Sequence, residues 1–155
     1  MEVLYPRCAG LDLAKDALVA CVRIHGRPVQ QECRTFGMTT RELLALAAWL
    51  TEHGVTHVAM EATGSYWKAV WYLLEETFTL TLANAAHIRN VPGRKSDVKD
   101  AAWSADLLAH GLIRGSFVPP APIQAVRDLT RTRKQLVREI AQHTRESRRR
   151  LTRPT

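Results

Sequence analysis

The sequence predicts an α/β domain built on a mixed sheet with flanking helices, followed by one long C-terminal helix. Three observations predict it. Three strand-like runs follow one another at the start with short connections. Beyond residue 39 the apolar period becomes helical, then alternates with two more strand-like runs. After a proline cluster, the chain runs from Ile123 to Leu151 without a glycine or proline.

Arg7–Leu13 is a short apolar run, Leu18–Ile24 a second, and Val29–Phe36 a more polar third. His25-Gly26-Arg27-Pro28 is a compact turn by composition, so the three strands form an antiparallel meander. Thr39-Thr40-Arg41-Glu42 offers an N-cap hydroxyl with an acid nearby. Leu43, Leu44, Ala47 and Leu50 then recur at helical spacing until Gly54. Val55–Met60 reads as a buried strand. Ser65 is placed to cap a helix through Trp67, Val70, Trp71 and Leu74, and Phe78–Leu82 gives a fifth strand.

After Asn84–Arg89, a loop with Pro92-Gly93-Arg94-Lys95 leads to a helix from Ser96-Asp97 to His110. Val98, Ala101, Ala102, Ala105 and Leu108 line one side of that helix, and Gly111 or Gly115 ends it. Pro119-Pro120-Ala121-Pro122 divides the chain into a domain over 1–118 and a linker with a basic helix over 119–155. That helix would be roughly 40 Å long at about 1.5 Å per residue. Val126, Leu129, Leu136 and Ile140 form a coiled-coil-like seam, interrupted by Arg133 and replaced beyond Ile140 by His143, Ser147 and Arg150. The expectation is a short helical pairing that yields to a basic, exposed end. A meander followed by parallel additions is the element order of the ribonuclease-H-like fold, although other α/β folds open the same way.

No apolar run approaches the roughly 18–20 residues that span a bilayer. The start, Met1 to Arg7, lacks the basic-then-apolar pattern of a signal peptide, so a cytoplasmic protein is expected. Cys8, Cys21 and Cys33 are odd in number, widely spaced and without a CxxC pair, which predicts three reduced core thiols. The net charge of +7 is localised: Lys/Arg and Asp/Glu balance at 12 each through residue 122, leaving 10 basic against 3 acidic residues in 123–155. A neutral globule with a basic tail points to a polyanionic partner; the plainer reading is a solvated helix.

Four acids stand out. Asp12 ends the first strand and Glu61 the fourth, each after apolar residues, where an ionised carboxylate is costly unless paired with a cation. Singly, either fits a structural hydrogen-bonding role. Together, at the ends of neighbouring strands, they call for positive charge between them. Asp97 and Asp100, three residues apart on one helix turn, point the same way; Asp97 also suits a helix N-terminus for its own sake. Four carboxylates suit hard divalent cations, Mg²⁺ or Mn²⁺, two of which would hold a scissile phosphate between them. Arg94, Lys95 and Lys99 beside the aspartates, and Arg145, Arg148, Arg149, Arg150 and Arg153 in the tail, suit a phosphate backbone.

At these residues the chain resembles a known family. Gly10-Leu11-Asp12-Leu13-Ala14-Lys15, Met60-Glu61-Ala62-Thr63-Gly64-Ser65-Tyr66-Trp67 and Arg94-Lys95-Ser96-Asp97-Val98-Lys99-Asp100-Ala101 are similar to motifs of the DEDD transposases of bacterial insertion sequences, the IS one-ten family that includes the Piv invertase. The resemblance spans essentially the whole chain. It implies a RuvC-like nuclease domain with Asp12, Glu61, Asp97 and Asp100 as the metal-binding tetrad. It also implies a coiled-coil helix after Pro122 that assembles subunits into a homo-oligomer and holds nucleic acid, and a structured bridge RNA that pairs with target and donor DNA. Family members continue into a second domain with a serine that attacks DNA. This chain stops at Thr155, so the expectation is an N-terminal fragment in which none of Ser65, Ser96, Ser104, Ser116 and Ser147 takes that part.

Two other classes compete. One is a non-catalytic nucleic-acid-binding and oligomerisation module whose acids are structural. The other is an actin-like kinase lobe, which also opens on a strand ending in Asp; it follows that Asp with a glycine-rich turn, whereas Leu13-Ala14-Lys15 stands here.

Overall fold

A computed structural model describes residues 2–62, 64–92 and 100–151. Five strands form one sheet, β1 (Arg7–Leu13), β2 (Ala17–Ile24), β3 (Gln30–Gly37), β4 (His57–Glu61) and β5 (Thr79–Ala83), in the order β3-β2-β1-β4-β5. β1, β2 and β3 pair antiparallel, whereas β4 adds parallel to β1 and β5 parallel to β4. This is the mixed sheet predicted for a ribonuclease-H-like domain. Among the described residues five helices accompany it: α1 (Thr40–Glu52), α2 (Trp67–Leu74), α3 (Ala85–Asn90), α4 (Asp100–Ala109) and α5 (Ala121–Leu151). Residues 1–117 form one compact unit and 118–155 a second.

The period-two alternation of strands assigns each face. In the ladder Leu13 stands opposite Leu18 and Leu18 opposite Phe36, all buried on the face where Phe36 meets Trp49 of α1 at 5.5 Å. The other face carries Cys8, Gly10 and Asp12 of β1, and α4 covers it. The Cys8 thiol donates to the Ala105 carbonyl, and Cys8, Ala59, Leu108 and Ala109 form one buried cluster. Gly10 makes this packing possible. A Cβ there would run into the Ala101 carbonyl oxygen and stand 2.5 Å from the Ala105 nitrogen, so only glycine lets helix and strand backbones approach so closely. Gly111 then ends α4 with φ at 67°, its N–H and that of Leu112 reaching back to Leu108 and Leu107.

One helix is added and three expectations are corrected. Asn84–Arg89, to which the sequence pattern assigns no element, starts α3: the Asn84 side chain accepts from the Ala86 N–H at 2.9 Å and caps it. Ser65 does not cap α2; Tyr66 occupies that position without a side-chain cap. α5 begins at Ala121, inside the proline cluster, because Pro122 in a first turn lacks only an N–H that had no helical partner anyway. Cys21 and Cys33 are not two reduced thiols. They face each other directly in the β2–β3 ladder and are joined as a disulfide, which leaves buried Cys8 as the free thiol. No helix among the described residues is long and apolar enough to cross a membrane.

Candidate metal centre

Register and parity bring two of the predicted acids together. Gly10 pairs with Ala59 and Leu11 with Met60 in the parallel β1–β4 ladder, and the next residues along the two strands are Asp12 and Glu61. Two residues on from Gly10 and Ala59, both acids belong to the face that α4 covers. Glu61 is only 7% exposed, and Asp12 is half-buried.

α4 contributes the third. Its early residues Ala101, Ser104 and Ala105 lie over Gly10, whereas its late residues Leu108 and Ala109 lie over Cys8 and Ala59. The helix therefore runs antiparallel to β1, and its first residue, Asp100, falls at the Asp12 end. The electrostatics agree. Burial, and after it the negative charge of Asp100, pushes the Asp12 carboxyl above its ordinary value of 3.8. Asp100 itself is exposed to solvent.

Asp97, Arg94, Lys95, Lys99 and Arg153 lie outside the described residues. Among the described residues, no three His, Cys, Asp or Glu side chains converge closely enough to hold a metal ion. Asp12, Glu61 and Asp100 thus share one end of one sheet face without forming a closed cage by themselves. Arg145, Arg148, Arg149 and Arg150 sit in the second unit, exposed along the last turns of α5.

Two further residues matter to this face and were not singled out in the sequence. Gly10 admits α4. Arg23, opposite Cys8 in the ladder, reaches Asp106 of α4 with its Nε 2.9 Å from Oδ1.

The sequence model of the IS110 DEDD transposases, described as a transposase family, matches residues 9–153. The chain belongs to this family. Its fold is also that of solved RuvC structures. Thermus thermophilus RuvC in complex with a Holliday junction substrate is 11% identical with a TM-score of 0.51, over 71% of this chain and 99% of that one. A second Thermus thermophilus RuvC structure is 12% identical at the same TM-score and coverage. No curated protein matches the chain. At such identities the likeness to RuvC establishes the fold of this IS110 transposase domain and nothing finer.

Proposed function

We propose that this IS110 transposase domain cleaves and recombines DNA strands with divalent metal held by Asp12, Glu61, Asp97 and Asp100. The observation that carries the reading is the approach of Asp100 to Asp12, two like charges held together at the end of a buried strand. Folding does not gather carboxylates at a mutual cost unless something positive offsets it. The donor set fits Mg²⁺ or Mn²⁺, since all four ligands are hard oxygens and none is sulfur or imidazole. Two such ions, when bound, would supply Lewis acidity to the scissile phosphate and an activated oxygen to attack it.

The chain's own residues do the rest. Glu61, fixed at the end of a buried strand, holds its carboxylate against the α4 face. Asp12, whose carboxyl burial and then Asp100 push above its ordinary value, is the acid whose charge a bound cation would most relieve. Asp100 comes from the first turn of α4, and Asp97, three residues earlier in the sequence, would complete the set. Arg94, Lys95 and Lys99 would hold the phosphate backbone beside them, and Arg145, Arg148, Arg149, Arg150 and Arg153 would engage the guide RNA or flanking DNA. The apolar stripe of α5, with Val126 61%, Leu129 71% and Ile140 65% exposed, would pair with a second copy to form a homo-oligomer. The setting is the cytoplasm, where DNA and a structured bridge RNA are both at hand.

In a complete recombinase carrying this domain, Asp100→Asn leaves the fold intact and abolishes recombination, because the exposed side chain contributes to the ligand set and not to the core. Normal recombination by that variant, in a cell-based donor–target assay, contradicts the proposal. A second reading, a binding and assembly module with structural acids, draws on the basic, apolar-striped α5. It requires salt-dependent RNA binding that persists in EDTA while calorimetry detects no Mg²⁺ binding.

A further inference from the structure

We propose that Arg23 is a positioning residue, whose buried guanidinium paired with Asp106 sets the register of α4 along β1 and so holds Asp100 beside Asp12. The consequence for metal rests on the reading above; the register itself does not.

Arg23 is 7% exposed, a degree of burial unusual for an arginine. One guanidinium nitrogen, NH1, is buried with no hydrogen-bond partner in the described structure. An apolar side chain of similar volume would fill the same space and leave no donor unsatisfied, so stability alone does not account for this residue. The neighbouring Cys8 adds no competing charge, because burial pushes its thiol up to about 11.

What the ion pair adds is direction. The surface that α4 turns toward β1 and β4 combines small side chains, Ala101, Ser104, Ala105 and Ala109, with Leu108, over Gly10, Cys8 and Ala59. Alanine against glycine offers little of the ridge-and-groove interlock that normally locks two elements. A slide of one turn would exchange one alanine for another at Gly10, although it would also put Leu108 or Asp100 where Ser104 stands. The Nε to Oδ1 contact at 2.9 Å exists at a single register, and Asp106 lies on the same rigid helix as Asp100. Fixing the one fixes the other.

The test compares the 155-residue chain as wild type, Arg23→Met, Asp106→Asn and Arg23→Lys. It reads nuclear Overhauser contacts from the Gly10 α-protons to Ala101, Ser104 and Ala105, the melting temperature, and Mn²⁺ affinity. The expected result is that Arg23→Met melts no lower than wild type yet loses or shifts those contacts, with Mn²⁺ affinity down about tenfold. Arg23→Lys, which keeps the charge, retains the wild-type contacts. Arg23→Met with unchanged contacts and unchanged affinity overturns the proposal, as does a lowered melting temperature with the register intact. Should Arg23→Met not fold, Asp106→Asn decides, since Asp106 is 45% exposed and its replacement buries nothing new. A wild-type chain that binds no Mn²⁺ sinks the metal reading, while the Gly10 contacts still decide the role of Arg23.

Discussion

Asp12 holds its proton more tightly folded than unfolded, because burial and then Asp100 disfavour its charge. The sign of the consequence follows by linkage. The ionised carboxylate costs the metal-free domain stability above its raised folded value, and that cost vanishes as pH falls below the ordinary 3.8. Asp12→Asn should therefore raise the melting temperature of the metal-free chain by a few degrees near pH 7 and leave it unchanged near pH 3. Added Mg²⁺ reverses the order at neutral pH, because only the wild type has the full ligand set to gain from binding. Thermal melts at both pH values check this; a variant less stable than wild type near pH 7 without metal contradicts it. Asp12 and Glu61 were legible in the sequence because a lone acid after an apolar strand run is costly enough to need a reason. Arg23 was not, since an arginine near the end of Leu18–Ile24 reads as a solvated strand tip. Its parity with Cys21 was the available signal. The disulfide was hidden for a related reason: spacing says nothing until the register is known. With the hairpin centred on Arg27, residues whose numbers sum to that of Cys21 plus Cys33 face each other, as Ile24 faces Gln30.

At the scale of elements, the strands and the longer helices carried strong periodicity and were legible within a few residues. The short α3 was not, because six residues show no period and its cap, Asn84, equally suits a turn. The start of α5 was misjudged by reading prolines as a break when one of them sits in a permissive first turn. α5 itself behaves as its composition predicts, with side-chain bonds spaced by one turn, from Gln135 to Glu139 and from Gln142 to Glu146, each at 3.0 Å. Its terminal arginines cost nothing to expose and supply charge where a polyanion would lie. Replacing Arg148, Arg149 and Arg150 with glutamine should weaken RNA binding across unrelated sequences and reduce the slope of log affinity against log salt by about 2–3. Filter binding across a salt series measures it; an unchanged slope means that those residues touch no phosphate.

For the whole molecule, the ribonuclease-H-like arrangement was legible because three closely connected strands leave few topologies open once parallel crossovers follow. The same topology explains why the acids come to one end of one sheet face. A parallel β1–β4 pair places two strand ends side by side, and an antiparallel α4, admitted by Gly10, brings its first turn to that end. Asp12, Glu61 and Asp100 are remote along the chain and reach the same corner only through this sheet order. Catalysis therefore turns on whether that corner holds metal. Anomalous diffraction from crystals soaked in Mn²⁺ measures this directly. Density among Asp12, Glu61, Asp97 and Asp100, absent from crystals of Asp12→Asn, is the predicted result. An empty corner in well-soaked crystals, or manganese bound only elsewhere, contradicts it.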